Sequence, residues 1–265
     1  MPKVKIRGAE LNVLDQGQGP VVLFVHGFPL THAMWAPQIE ALSDSYRILA
    51  PDLRGFGESP AMAGTVSMRQ FADDLAHLLD ALKIEEPITF CGLSMGGYIG
   101  WQFVQHHPNR LRGLICCDTK ASADSEEAVQ NRHKLAGSVL KHGVGVLAQA
   151  MLEKLFAKET IENQPGIVET CKQMMLAADA DGVAAALRGM AERPDMTSIL
   201  SEIDIPALVI VGEHDQITTV EEMREMASAI PNSRFLEVPN AGHMAPLEQP
   251  VIVNQTLKSF LDGLR

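Results

Sequence analysis

Residues 92–97 read Gly92-Leu93-Ser94-Met95-Gly96-Gly97; the apolar run at 88–91 precedes them, and an apolar helical segment at 98–104 follows. A G-x-S-x-G string gains mechanical meaning only in such a strand-turn-helix setting. Glycines two positions either side of Ser94 remove side chains where the backbone turns sharply. Ser94 Oγ is therefore expected on a strained turn at the carboxyl edge of a sheet. The helix that opens there aims backbone N–H groups at developing negative charge. The competing reading of Ser94 is an ordinary helix N-cap.

On either side of this turn, short apolar runs at 21–25, 48–50, 114–117, 208–211 and 235–238 alternate with helix-period segments. They read as buried strands, and their alternation predicts βαβ crossovers and a mostly parallel sheet. Residues 4–6 and 11–14 flank Gly8-Ala9 and predict an opening antiparallel hairpin. Phe71, Leu75, Leu78, Leu79 and Leu82 share one face of a helix beginning near Ser67. Leu257, Phe260, Leu261 and Leu264 define a closing helix.

The strand rhythm stops between about Asp118 and Pro206, where stretches such as 126–141 and 144–156 have helical character. The expected organisation is a core over residues 1–118, a helical cap over 119–205 and the rest of the core over 206–265. Met151, Met174, Met175, Met190 and Met196 fall in the insertion. Methionine adapts to apolar pockets, although ordinary helix packing explains each one singly.

With 265 residues, 46% hydrophobic and 21% charged, the chain suits one globular domain with an insertion. Its 33 acidic residues against 22 basic ones give a formal charge of -11, which disfavours nucleic acid and anionic lipid as partners. A small neutral or cationic molecule fits better. No apolar stretch follows the charged N-terminus and no run approaches membrane-spanning length, so a cytoplasmic protein is expected. Cys91, Cys116, Cys117 and Cys171 lack metal-ligand spacing and are expected as reduced, packed thiols. Nothing resembles a zinc, phosphate-loop or dinucleotide site, so neither metal nor cofactor is expected.

A serine nucleophile needs a base, an acid and oxyanion donors. His243 lies in Asn240-Ala241-Gly242-His243-Met244, between the run at 235–238 and the last helix, and Asp215 lies in Gly212-Glu213-His214-Asp215-Gln216. The chain order is then Ser, Asp, His, with all three groups leaving the same edge of the sheet. Asp118, just after the run at 114–117, is the rival acid. His26-Gly27-Phe28-Pro29 ends the run at 21–25, which makes the backbone N–H groups of Phe28 and Met95 the candidate oxyanion donors. Phe28 and Met95 are also the candidate substrate-contacting residues. His26 is read as loop-stabilising rather than as the base. Asp52-Leu53-Arg54-Gly55-Phe56-Gly57-Glu58-Ser59 is read as a turn-rich loop with an internal ion pair or turn bond.

Together, HGFP, PDLRGFGES, GLSMGG, VGEHD and NAGHMAPLEQP closely resemble the α/β-hydrolase superfamily over nearly the full length. The resemblance is greatest to the bacterial carboxylesterase branch grouped with 3-oxoadipate enol-lactone hydrolases. It implies an α/β-hydrolase fold: an eight-stranded, mostly parallel sheet with helices on both faces, a helical cap between strands six and seven, and no cofactor. It also implies hydrolysis of a small-molecule ester through Ser94, His243 and Asp215. An enol-lactonase or a cofactor-free haloperoxidase or perhydrolase would use the same triad, and a noncatalytic binding protein would need none of it.

Overall fold

The computed structural model describes residues 2–264. β1 (Lys3–Ile6) and β2 (Ala9–Gln16) form an antiparallel hairpin. There follow β3 (Val21–Val25), α1 (Ala36–Leu42), β4 (Arg47–Pro51), α2 (Met68–Ala81), β5 (Ile88–Leu93), α3 (Met95–His106) and β6 (Leu111–Cys117). After β6 the chain forms α4 (Glu126–His142), α5 (Gly145–Leu155), α6 (Lys158–Asn163), α7 (Pro165–Leu176) and α8 (Ala180–Ala191), with no strand among them. It then returns through β7 (Ala207–Gly212), α9 (Val220–Ala229), β8 (Ser233–Val238), α10 (Ala245–Glu248) and α11 (Pro250–Asp262).

The strands make one eight-stranded sheet in the order β1-β2-β4-β3-β5-β6-β7-β8. Everything from β4 to β8 is parallel, and β2 pairs antiparallel with β4. Because side chains alternate along a strand, each central strand feeds both faces. Leu23, Val25, Phe90, Leu114, Val209 and Val211 join one apolar cluster with α2, α3 and α9. Val22, Phe24, Cys91, Ile115, Leu208 and Ile210 join a second with α1 and α11. Every residue of β5 and of β7 is buried, as strands covered on both faces require.

The run at 235–238 departs from its expected burial: along β8 only Val238 is buried. β8 pairs with β7 alone and forms the sheet's edge, so Phe235 and Leu236 are covered incompletely. The helix expected near Ser67 starts there because the Ser67 hydroxyl accepts the Gln70 N–H at 3.1 Å. Its buried face carries Phe71, Leu75, Leu78 and Leu79.

α8 is seated directly on the core, with the Val66 N–H donating to the Ala185 carbonyl at 3.2 Å. Cys91, Cys116, Cys117 and Cys171 are free and buried. Among the described residues no helix is long and apolar enough to cross a membrane. Parallel strands present their carboxyl ends on one edge, so the loops after β3, β5, β6, β7 and β8 gather there.

Candidate active site

β5 ends at Leu93, α3 begins at Met95, and Ser94 joins them at φ 52° and ψ −112°. Positive φ in a residue with a Cβ costs on the order of 1–3 kcal/mol, so surrounding structure must hold it. The Ser94 N–H donates to the Cys117 carbonyl at 2.9 Å, and the Ser94 carbonyl accepts the Thr119 hydroxyl at 2.8 Å. β6 and the residues after it therefore clamp the turn from the side. A Cβ on Gly92 would lie 2.4 Å from the Gly96 carbonyl, and one on Gly96 would lie 2.3 Å from the Val25 oxygen. Only glycine lets these three backbones meet. The Ser94 side chain makes no capping bond to α3, which removes the N-cap reading and leaves Oγ uncommitted.

Across from the turn, the loop after β3 brings Gly27 alongside: a Cβ there would be 3.6 Å from Ser94 Cβ. Among the described residues, neither the Phe28 N–H nor the Met95 N–H has a protein acceptor. Both side chains are buried. Two unspent N–H donors flanking an unspent hydroxyl form the arrangement that can stabilise an oxyanion.

Asp215 and His243 meet directly, with His243 Nδ1 donating to Asp215 Oδ2 at 2.8 Å. Because an ionised carboxylate only accepts, the proton sits on Nδ1 and the lone pair on Nε2. Asp215 Oδ1 accepts the N–H groups of Ile217 (2.7 Å) and Thr218 (3.0 Å), and Oδ2 also accepts the Thr218 hydroxyl. Burial pushes this carboxyl up, but the electrostatic attraction and hydrogen bond of His243 and the Thr218 contacts outweigh it, holding Asp215 below its ordinary range. The two loops are laced by His214 N–H to the Ala241 carbonyl at 2.8 Å and Asn240 N–H to Glu213 at 3.0 Å. Among the described residues no hydrogen bond joins Ser94 Oγ to the imidazole. In unliganded sites that contact is often long, and it tightens when substrate binds.

Residues 20–250 match the family model described as alpha/beta hydrolase fold. The chain belongs to the α/β-hydrolase family. The malate-bound structure of a thermophilic esterase from Thermogutta terrifontis superimposes on this hydrolase with a TM-score of 0.97 at 44% identity, covering 99% of this chain and 98% of that one. The enol-lactonase from Burkholderia xenovorans LB400 does so with a TM-score of 0.92 at 31% identity, covering 98% and 100%. A curated relative, 3-oxoadipate enol-lactonase 2 of Acinetobacter baylyi, is 33% identical over 253 residues, which is 95% of this chain and 92% of that protein. These similarities agree with the resemblance carried by the motifs.

The other polar residues of the hydrolase edge have different work. Asp118 does not reach His243: its Oδ1 accepts the Gly212 N–H at 2.9 Å, bracing β7 against β6, and its Oδ2 has no partner among the described residues. Burial, then the charge of Asp215, pushes the Asp118 carboxyl well above the usual carboxylate range. His26 has both ring nitrogens occupied, Nδ1 by the Gly27 carbonyl (2.9 Å) and Nε2 by the Leu53 N–H (3.0 Å). It ties the loop after β3 to the loop after β4. In that second loop Arg54 forms a buried two-pronged ion pair with Asp74 at 2.8 and 2.7 Å. Asp52 binds His32 Nδ1 at 2.6 Å and the Asn12 amide at 2.8 Å.

His26 carries a pH dependence. Burial lowers its pKa from 6.5 to about 4, so between those values the unfolded chain takes up a proton that the folded protein refuses. The stability it contributes is complete above pH 6.5, falls by about 1.4 kcal/mol per pH unit below that, and is lost by about pH 4. Urea unfolding from pH 7 to pH 5 is expected to show a shallower loss in His26→Gln than in the wild type, by about 2 kcal/mol. Equal slopes would show that His26 is not held neutral.

Two contributors carry no sequence signal strong enough to single them out. Thr218 is one of two adjacent threonines in the loop after β7. Glu248 sits five positions after His243 within NAGHMAPLEQP, and a buried glutamate is hard to foresee in a segment that also reads as an ordinary helix start. Glu248 is 2% exposed and accepts four hydrogen bonds.

Proposed function

We propose that this hydrolase is a carboxylesterase that cleaves small, short-acyl esters through a Ser94 acyl-enzyme. The observation that carries the reading is the 2.8 Å bond from His243 to Asp215. It leaves His243 Nε2 as the free base on the sheet edge where Ser94 stands at positive φ. Ser94 Oγ attacks the ester carbonyl as Nε2 takes its proton, and Asp215 holds the tautomer and stabilises the imidazolium. The N–H groups of Phe28 and Met95 receive the oxyanion. Nε2–H then protonates the departing alcohol. Water, deprotonated by the same nitrogen, attacks the acyl-enzyme and releases the acid.

Residues 119–205 act in this reading as a cap over the site. Val139, Leu147 and Met190 from the insertion belong to the same apolar cluster as Phe28, Met95 and Tyr98, so the insertion packs on the face of the core that carries the site, which fits a cap that limits acyl length. Each methylene buried where there is room contributes about 0.8 kcal/mol, and in a filled chamber the same methylene becomes overpacking. Across aryl esters of increasing acyl length, kcat/KM is expected to peak at short chains and then fall, with no stimulation by lipid droplets. A steady rise through long chains would identify an open, lipase-like groove.

A second reading, lactonase action on a carboxylate-bearing enol-lactone, draws support from the 33% identical Acinetobacter relative. It uses the same triad. Faster turnover of an anionic lactone than of any neutral short-chain ester would favour it.

A further inference from the structure

The N–H groups on either side of His243 converge on one carboxylate. Glu248 Oε1 accepts the Gly242 N–H at 2.8 Å and the Met244 N–H at 3.1 Å. Its other oxygen, Oε2, accepts the Ala157 N–H at 2.8 Å and the Thr160 hydroxyl at 2.7 Å, both from the helical insertion at the start of α6. An ionised carboxylate offers about four acceptor sites, and here all four are used. Among the described residues Glu248 makes no ion pair, and its hydrogen-bond partners are these four donors. The backbones touch as well: a Cβ on Gly242 would lie 2.6 Å from the Ala157 nitrogen and 2.7 Å from the Phe156 carbonyl carbon. Burial pushes the Glu248 carboxyl above its ordinary range, with the four bonds offsetting only part of that.

From this geometry we infer that Glu248 is a positioning residue that couples the placement of the His243 imidazole to the seating of the helical insertion. The inference rests on His243 being the base of the proposed reaction. Asp215 fixes the ring's orientation through Nδ1, while Glu248 fixes the backbone that carries the ring, from the opposite end of the loop. Because its second oxygen is spent on α6, a shift of the insertion is transmitted to the histidine through one rigid group.

Removing one pair of acceptor sites loosens either the histidine loop or α6. A misplacement approaching 1 Å costs about 100-fold in rate. Purified Glu248→Gln is expected to lose about 10- to 100-fold in kcat for a short-chain aryl ester, with a matching fall in the rate at which a fluorophosphonate labels Ser94. Thr160→Val removes one donor of the insertion without touching the histidine loop, and it keeps the protein folded if Glu248→Gln does not. It is expected to lower kcat several-fold well below its melting temperature, and the double variant is expected to be no slower than Glu248→Gln alone. The inference is overturned if Glu248→Gln melts earlier yet keeps wild-type kcat and labelling rate. It is equally overturned if Thr160→Val leaves kcat unchanged, or if the two effects multiply. Failure of the esterase reading itself looks different, because wild-type Ser94 would then resist labelling.

Discussion

Ester turnover by the Ser94→Ala protein is expected to fall on the order of a million-fold, while its stability stays within about 1 kcal/mol of the wild type. The loss is large because the substitution removes the covalent route, leaving only binding and the oxyanion donors. Little stability is at stake, since Ser94 Oγ makes no capping bond and alanine occupies the same φ of 52° no more comfortably than serine. His243→Ala is expected to lose a comparable factor, and the double variant to be little worse than either single one, because residues acting as a unit are not additive. Near-normal turnover by purified, folded Ser94→Ala, checked by steady-state assay alongside a thermal melt, would refute the nucleophile.

The second large effect separates two buried aspartates that follow neighbouring strands, Asp118 after β6 and Asp215 after β7. Asp215→Asn is expected to lower kcat by about 10⁴-fold, since the amide cannot stabilise the imidazolium and favours the wrong ring tautomer. Asp118→Asn is expected to change kcat only a few-fold. Asp118 Oδ1 accepts one N–H, from Gly212, and an asparagine oxygen can do the same. Its carboxyl is already pushed toward the neutral form by burial and by Asp215, so the substitution removes little charge. Comparing the two kcat values decides the assignment, and the reverse ranking would move the acid to Asp118.

The parts of the molecule that could be read in advance are those where a local pattern and a global need coincide. Gly92, Ser94 and Gly96 announce the turn because only that spacing lets β5, α3 and the end of β3 approach so closely. Apolar runs of strand length announce the parallel sheet because both of its faces are covered. The same logic misjudged β8, where Phe235 and Leu236 look like core yet lie on an edge strand that has one neighbour. Position along a sheet is a tertiary property that an apolar run does not encode. Glu248 escaped for a related reason. Its partners Ala157 and Thr160 lie 91 and 88 residues away, and no motif spans such a separation. His26 illustrates the converse: read from the sequence as loop-stabilising rather than as the base, it has its ring occupied by the Gly27 carbonyl and the Leu53 N–H.

The nucleophile claim is tested most directly by treating the wild-type protein with a fluorophosphonate and locating the adduct by peptide mass spectrometry. One phosphonyl group per chain on Ser94, absent from Ser94→Ala and greatly slowed in His243→Ala, is the predicted result. An unlabelled wild type that still hydrolyses esters, or an adduct on any other residue, would contradict it.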